Sequence, residues 1–317
     1  MRPAAPVTTN LSAFFIRAEL GSYAAYEGAD PYTLYHSLLY GRRSAPHSRG
    51  RRPAFSIIRR EGDRTTYICI CSYHKWHSPH LGEDFEVKVY GFAGRPLLVF
   101  PSLGGRFFDF ENFGMVEACR PFLESGRLRI FAVDGRDRES WLNAGIPIGD
   151  RGQRHEAWDA CIVHEALPFV RELSGRRAPR DVIVAGCSTG AFHAANFLFR
   201  HPDLCDTVIA LSGIYSLHRF KPLGDYCDDH VYFNDPLRYL PNLADERYLN
   251  LFRRSRIIIC AGRGAWEHVC LLESRRLSEV LRAKGIPHWL DLWGWDVNHD
   301  WPWWRRQLPY FLGHVLA

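Results

Sequence analysis

Five residues, Gly186-Cys187-Ser188-Thr189-Gly190, constrain this chain more than any other stretch. They stand where one periodicity gives way to another. Residues 181–185 form a short apolar run rich in β-branched side chains, as in a buried strand. Residues 191–200 place Phe192, Ala195 and Leu198 on one side of a helix. A strand that turns straight into a helix brings the two backbones close to collision, so the positions flanking the turn need the smallest side chains. Gly186 and Gly190 meet that need. Such an elbow holds the oxygen of Ser188 above the end of the strand, where a base can reach it. The five-residue pattern alone is weak, and the strand before it and the helix after it carry the inference.

The rest of the chain fits an α/β architecture. Strands are expected at 85–90, 96–100, 128–133, 207–211, 257–260 and 288–292, and helices at 156–170, 272–283 and 303–315. Strands alternating with helices predict a mostly parallel central sheet with helices on both faces. Residues 214–255 are irregular and aromatic-rich, and are expected to form a cap-like insertion. Residues 1–70 differ in kind. They hold ten arginines and five acids, whereas residues 71–317 hold equal numbers of basic and acidic side chains, so the whole net charge of +5 comes from this segment. It reads as a basic, loosely ordered N-terminal extension, poorly defined in structure, ahead of a catalytic domain at 71–317. The neutral main body argues against a nucleic-acid partner.

A serine needs a base to make it a nucleophile, and the base needs an acid to orient it. In a fold of this kind the chain order is serine, acid, histidine. His299 follows the last expected strand and is the candidate base. Glu267 is the first carboxylate after the strand at 257–260 and is the candidate acid. Glu273 is the runner-up, and Asp296 and Asp300 are read as loop-capping groups. An oxyanion hole needs two N–H groups. The amide of Thr189, next to the serine, supplies one, and Gly105 in the loop 100–107 is favoured for the other, with Gly104 next. Gly104, Arg106, Trp266 and Trp301 are candidate substrate-binding residues. His193 is expected to face solvent or pack on the sheet, and His288 to be structural. Cys187 is expected to point away from the base.

No metal and no cofactor is expected. His74, His77 and His80 share a metal-like spacing, but their flank is loop-like and would not align all three. The tryptophans Trp289, Trp293, Trp295, Trp301, Trp303 and Trp304 fit core packing around the last strand and helix, with some free to shape a pocket. Nine cysteines scattered singly through apolar runs read as reduced thiols of a cytoplasmic protein. No run of apolar residues is long enough to span a membrane, and no signal peptide is evident at the start. The expected partner is a small-molecule ester, and a homo-oligomer is left open.

Several segments in order resemble the bacterial "putative esterase" family of α/β-hydrolases, relatives of the esterase D (S-formylglutathione hydrolase) type and of the mycolyltransferases. They are Ser78-Pro79-His80-Leu81-Gly82-Glu83-Asp84, Phe100 through Phe107, the elbow with His193-Ala194-Ala195-Asn196, Leu211 through Tyr215, Gly262 through Glu267, and Asn298-His299-Asp300-Trp301-Pro302. The resemblance implies an α/β-hydrolase fold and a serine esterase with Ser188, Glu267 and His299 as its triad. It implies an oxyanion hole from Gly105 and Thr189. An acyltransferase that passes the acyl group to an alcohol or sugar would share this triad, so the acceptor stays open. A non-catalytic binding protein on the same fold is the reading from outside enzymes.

Overall fold

The computed structural model describes residues 71–176, 178–219 and 226–317. The expected extension at 1–70 therefore lies outside the described residues, as does part of the expected insertion. Among the described residues eight strands form one sheet: β1 (Cys71–Ser78), β2 (Glu83–Tyr90), β3 (Arg95–Phe100), β4 (Leu128–Val133), β5 (Ile183–Cys187), β6 (Thr207–Leu211), β7 (Arg256–Ala261) and β8 (Trp289–Leu292). Their order across the sheet is β1-β2-β4-β3-β5-β6-β7-β8. β1 and β2 run antiparallel to each other, β2 antiparallel to β4, and every later pair is parallel.

Alternate residues of each parallel strand enter different cores. Val184, Val208, Ala210, Ile257 and Ile259 face one side. Ile183, Ala185, Ile209, Leu211 and Ile258 face the other. Both faces are therefore covered, which is why these strands read as continuous apolar runs. Each fully buried valine, leucine or isoleucine among them contributes about 1.5–3 kcal/mol. On the first side lie α1 (Ile148–Cys161), a π-helical turn at Ile162–Ala166, α2 (Leu167–Ser174) and α3 (Thr189–Arg200). The sequence pattern predicts one helix at 156–170. The structure begins it eight residues earlier, and the π turn inserts between α1 and α2.

The segment 214–255 carries short helices among the described residues, of which the longest is α4 (Glu246–Arg253). After β7 comes α5 (His268–Ala283), and after β8 comes α6 (Trp301–Val315). α6 buries Trp304, Leu308, Phe311 and Leu312 against the second face of the sheet. β1 is absent from the sequence reading. Its residues are largely polar, and among the described residues it pairs with β2 alone.

Candidate active site

Ser188 stands between the end of β5 and the start of α3, with φ 57° and ψ −122°. That backbone is strained for a residue with a side chain. The neighbouring glycines make it feasible. A Cβ on Gly186 would lie 2.2 Å from the carbonyl carbon of Gly190, and one on Gly190 would lie 2.5 Å from the oxygen of Phe100. The close approach inferred from the motif is therefore real, and it also draws in the loop that follows β3.

His299 is held on the other side of Ser188 by a pair of stitched loops. Its N–H donates to the oxygen of Ala265 at 3.0 Å, and the amide of Ala265 donates to Asn298 Oδ1 at 2.8 Å. Gly262 lets the loops meet, because a Cβ there would stand 2.1 Å from the oxygen of Val297. The result places His299 Nε2 3.0 Å from Ser188 Oγ. On the far side of the ring, Nδ1 lies 3.8 Å from Glu267 Oε2, within ion-pair range though longer than a hydrogen bond. Such contacts are often long in an unliganded site. All three side chains are buried.

The carboxylate of Glu267 is fixed by residues that sequence reasoning missed. Ser212 Oγ donates to Glu267 Oε1 at 2.5 Å, and Trp304 Nε1 donates to Ser212 Oγ at 3.0 Å. The Trp304 ring also meets the His299 ring edge to face, with centroids 5.0 Å apart. Ser212, just after β6, also has a positive φ, 52°. Among the described residues Glu267 Oε2 has no hydrogen-bond partner. Cys270, one turn along α5, places its Sγ 3.7 Å from His299 Nδ1. Glu273 is occupied elsewhere, accepting from the amides of Tyr215 and Ser216 at 2.7 and 2.9 Å. Asp300 caps α6 by accepting from the amide of Trp301.

The loop after β3 departs from the sequence reading in two ways. The amide of Gly105 donates to the oxygen of Ser102 at 2.8 Å, and that of Gly104 to Asp137 Oδ2 at 3.3 Å, so both glycine amides are engaged within the fold. Their small size serves a tight turn, where Gly104 has φ 62°. Arg106, expected to bind substrate, gives its guanidinium to Asp134 and Glu86. Ser102 Oγ donates to the oxygen of Cys187 at 3.0 Å, which pins the loop beside the elbow. The remaining expected substrate residues are both partly buried. Trp266 has φ 68°, and Trp301 stacks on Phe113 with centroids 4.2 Å apart.

His193 is neither solvent-facing nor simply packed on the sheet. It is buried, and its Nε2 lies 2.8 Å from Asp137 Oδ1. Burial alone would raise the Asp137 carboxyl, but the facing His193 ring and the Gly104 amide outweigh it and hold it below its ordinary range. Burial pushes the neighbouring His155 down to about 3, so that ring is neutral. Arg138 Nε completes the clamp by donating to the oxygen of Gly104 at 3.1 Å. Asp137 thus ties the elbow helix to the loop after β3. Asp137→Ala is expected to lower kcat on p-nitrophenyl acetate by about 10²-fold with little change in KM, since a small displacement of a positioning loop costs about that much. Steady-state kinetics alongside a thermal melt checks it, and an unchanged kcat would remove Asp137 from the site.

The three histidines with metal-like spacing go separate ways. His74 meets Ser72 Oγ, His77 approaches Asp84, and His80 Nδ1 lies 2.6 Å from Glu165. The eight described cysteines form no disulfide. Trp289 and Trp293 pack on α6 as the core reading expects, whereas Trp295 is largely exposed. Among the described residues no helix is long and apolar enough to cross a membrane.

Comparison with known proteins identifies the fold and the family. The solved structures that resemble the chain include a ferulic acid esterase with 18% identity and a TM-score of 0.61, covering 78% of this chain and 97% of that one. An S-formylglutathione hydrolase from Agrobacterium tumefaciens has 15% identity and a TM-score of 0.62, covering 81% and 98%. FphF, a fluorophosphonate-binding serine hydrolase of Staphylococcus aureus, has 14% identity and a TM-score of 0.61, covering 78% and 99%. No curated protein sequence matches the chain. At these identities the structures establish the α/β-hydrolase fold. Residues 110–315 match the family described as "Putative esterase". The chain belongs to that family, and it is a carboxylic ester hydrolase built on the α/β-hydrolase fold.

Proposed function

We propose that the enzyme hydrolyses small carboxylic esters through an acyl-enzyme intermediate on Ser188, with His299 as base and Glu267 as the acid that orients it. The observation that carries this is the 3.0 Å approach of His299 Nε2 to Ser188 Oγ, with the Glu267 carboxylate on the opposite side of the ring. His299 Nε2 takes the proton as Ser188 Oγ attacks the acyl carbonyl. The charge that develops on the imidazole is balanced by Glu267, whose geometry Ser212 and Trp304 maintain. His299 then hands the proton to the leaving alcohol and activates water for deacylation. For the oxyanion, the proposal pairs the amide of Thr189 with that of Leu103. Thr189 opens α3, where an amide has no acceptor one turn earlier. Leu103 lies between Ser102, pinned to Cys187, and Gly104, held by Asp137, and among the described residues its own N–H makes no bond with another backbone group outside the strands and helices. The proposed catalytic unit begins at residue 71. Six of the eight described cysteines are buried and none is paired with another of them, which suits a reducing compartment and a cytoplasmic enzyme.

A fluorophosphonate probe tests the reading directly. The native chain is expected to be labelled at Ser188 and to be protected by p-nitrophenyl acetate. Labelling of Ser188→Ala equal to that of the native chain would end it.

A further inference from the structure

Glu267, Cys270 and His299 each direct one ligand atom into the same buried space, and these atoms lie within 4.8 Å of one another. His299 Nδ1 is 3.7 Å from Cys270 Sγ and 3.8 Å from Glu267 Oε2. A tetrahedral zinc ion with bonds of about 2.0–2.3 Å has ligand-to-ligand edges of about 3.3–3.6 Å. The two edges from His299 Nδ1 thus need to close by only a few tenths of an ångström, and the third, between Cys270 Sγ and the Glu267 carboxylate, by up to about 1.2 Å, for the three atoms to share one ion. Glu267 Oε2 is buried without a hydrogen-bond partner among the described residues, so coordination would satisfy it. A divalent ion would meet one carboxylate, one thiolate and one neutral imidazole, giving a site of zero net charge in a buried place. The donor set of sulfur, nitrogen and oxygen suits zinc and disfavours magnesium or calcium.

We propose that this cluster is an inhibitory zinc site in which the metal seizes the face of His299 that Glu267 otherwise orients. This rests on the reading of His299 as the base. Coordination uses the Nδ1 lone pair, so the one proton of the neutral imidazole moves to Nε2. Nε2 then donates toward Ser188 Oγ and no longer accepts its proton. The Cys270 thiol releases its proton to solvent, and one proton leaves per ion bound. Because all three residues are sealed from solvent, inhibition develops slowly as side chains open to admit the ion.

The test uses the full chain stripped of metal. Preincubation with micromolar zinc is expected to lower p-nitrophenyl acetate hydrolysis at least tenfold over time, with recovery on adding a chelator. Cys270→Ala and Cys270→Ser are expected to keep the basal rate and to need at least tenfold more zinc. Cobalt(II) added to Ser188→Ala is expected to give a thiolate-to-cobalt charge-transfer absorption at one ion per chain, absent when Cys270→Ala is added. This arm needs no turnover, so it reads the site even if the catalytic reading fails. The proposal is overturned if Ser188→Ala shows no such absorption, if it persists without Cys270, or if zinc inhibits the Cys270 variants as strongly as the native chain. An ion bound at full occupancy without loss of activity would overturn its inhibitory role.

Discussion

Ser188→Ala is expected to lower kcat on p-nitrophenyl acetate by about 10⁴–10⁶-fold, and adding His299→Ala to that variant is expected to cost almost nothing more. The two side chains act as one unit. Without the hydroxyl there is no proton for His299 Nε2 to take, and without the imidazole the hydroxyl keeps its proton and attacks poorly. Their 3.0 Å contact is the structural basis for so large a coupling. Each single change should therefore be nearly as damaging as the pair, leaving whatever the oxyanion amides and substrate binding supply. The comparison is clean because alanine at position 188 meets the same backbone demand that serine does, with φ 57°. The flanking glycines that relieve the close approach are untouched. Circular dichroism and thermal melts of all three variants should match the native chain. Losses that add in full, or a His299→Ala variant within tenfold of native activity, would show that the two residues do not share the reaction.

What the sequence revealed follows from how local each constraint is. The elbow was legible because its steric demand falls on residues two positions either side of the serine. The inner strands were legible because burial on both faces leaves continuous apolar runs. β1 was not, since Cys71–Ser78 lies at the edge of the sheet and keeps polar side chains. The early turns of α1 were also hidden. Gly149 and Gly152 break the helical pattern there, yet Gly152 is needed because a Cβ would strike His230 at 2.7 Å. In the loop after β3 the sequence shows that glycines are present but not why. Gly104 and Gly105 read as places for a substrate to approach, whereas their amides serve Asp137 and Ser102. The same limit hid Asp137, Ser212 and Trp304. Ser212 meets Glu267 across 55 residues of chain and Trp304 across 92, so no spacing rule could join them.

Those distant partners decide the outcome of the second substitution. Glu267→Gln is expected to lower kcat by about 10³–10⁴-fold, roughly 4–5.5 kcal/mol of transition-state stabilisation, with KM little changed. Glutamine fills the same space, and its amide oxygen can keep the bond from Ser212 Oγ that Glu267 Oε1 now accepts at 2.5 Å. Trp304 holds Ser212 so that this hydroxyl points at the carboxylate. The side-chain NH₂ of glutamine must then face His299 Nδ1, where the native structure offers a bare carboxylate oxygen. Two N–H groups cannot face each other, so the imidazole turns its lone pair to Nδ1 and carries its proton on Nε2. That tautomer donates to Ser188 and cannot act as its base. The charge on the ring would also lose its counter-ion in a buried site. Cys270, 3.7 Å from Nδ1, offers no permanent charge to replace it. Nitrogen-resolved NMR of His299 should report the change of protonated nitrogen directly, alongside kinetics and a melt. A Glu267→Gln variant with near-native kcat would mean that some other group orients His299. In that case the bond chain from Trp304 through Ser212 would serve packing alone.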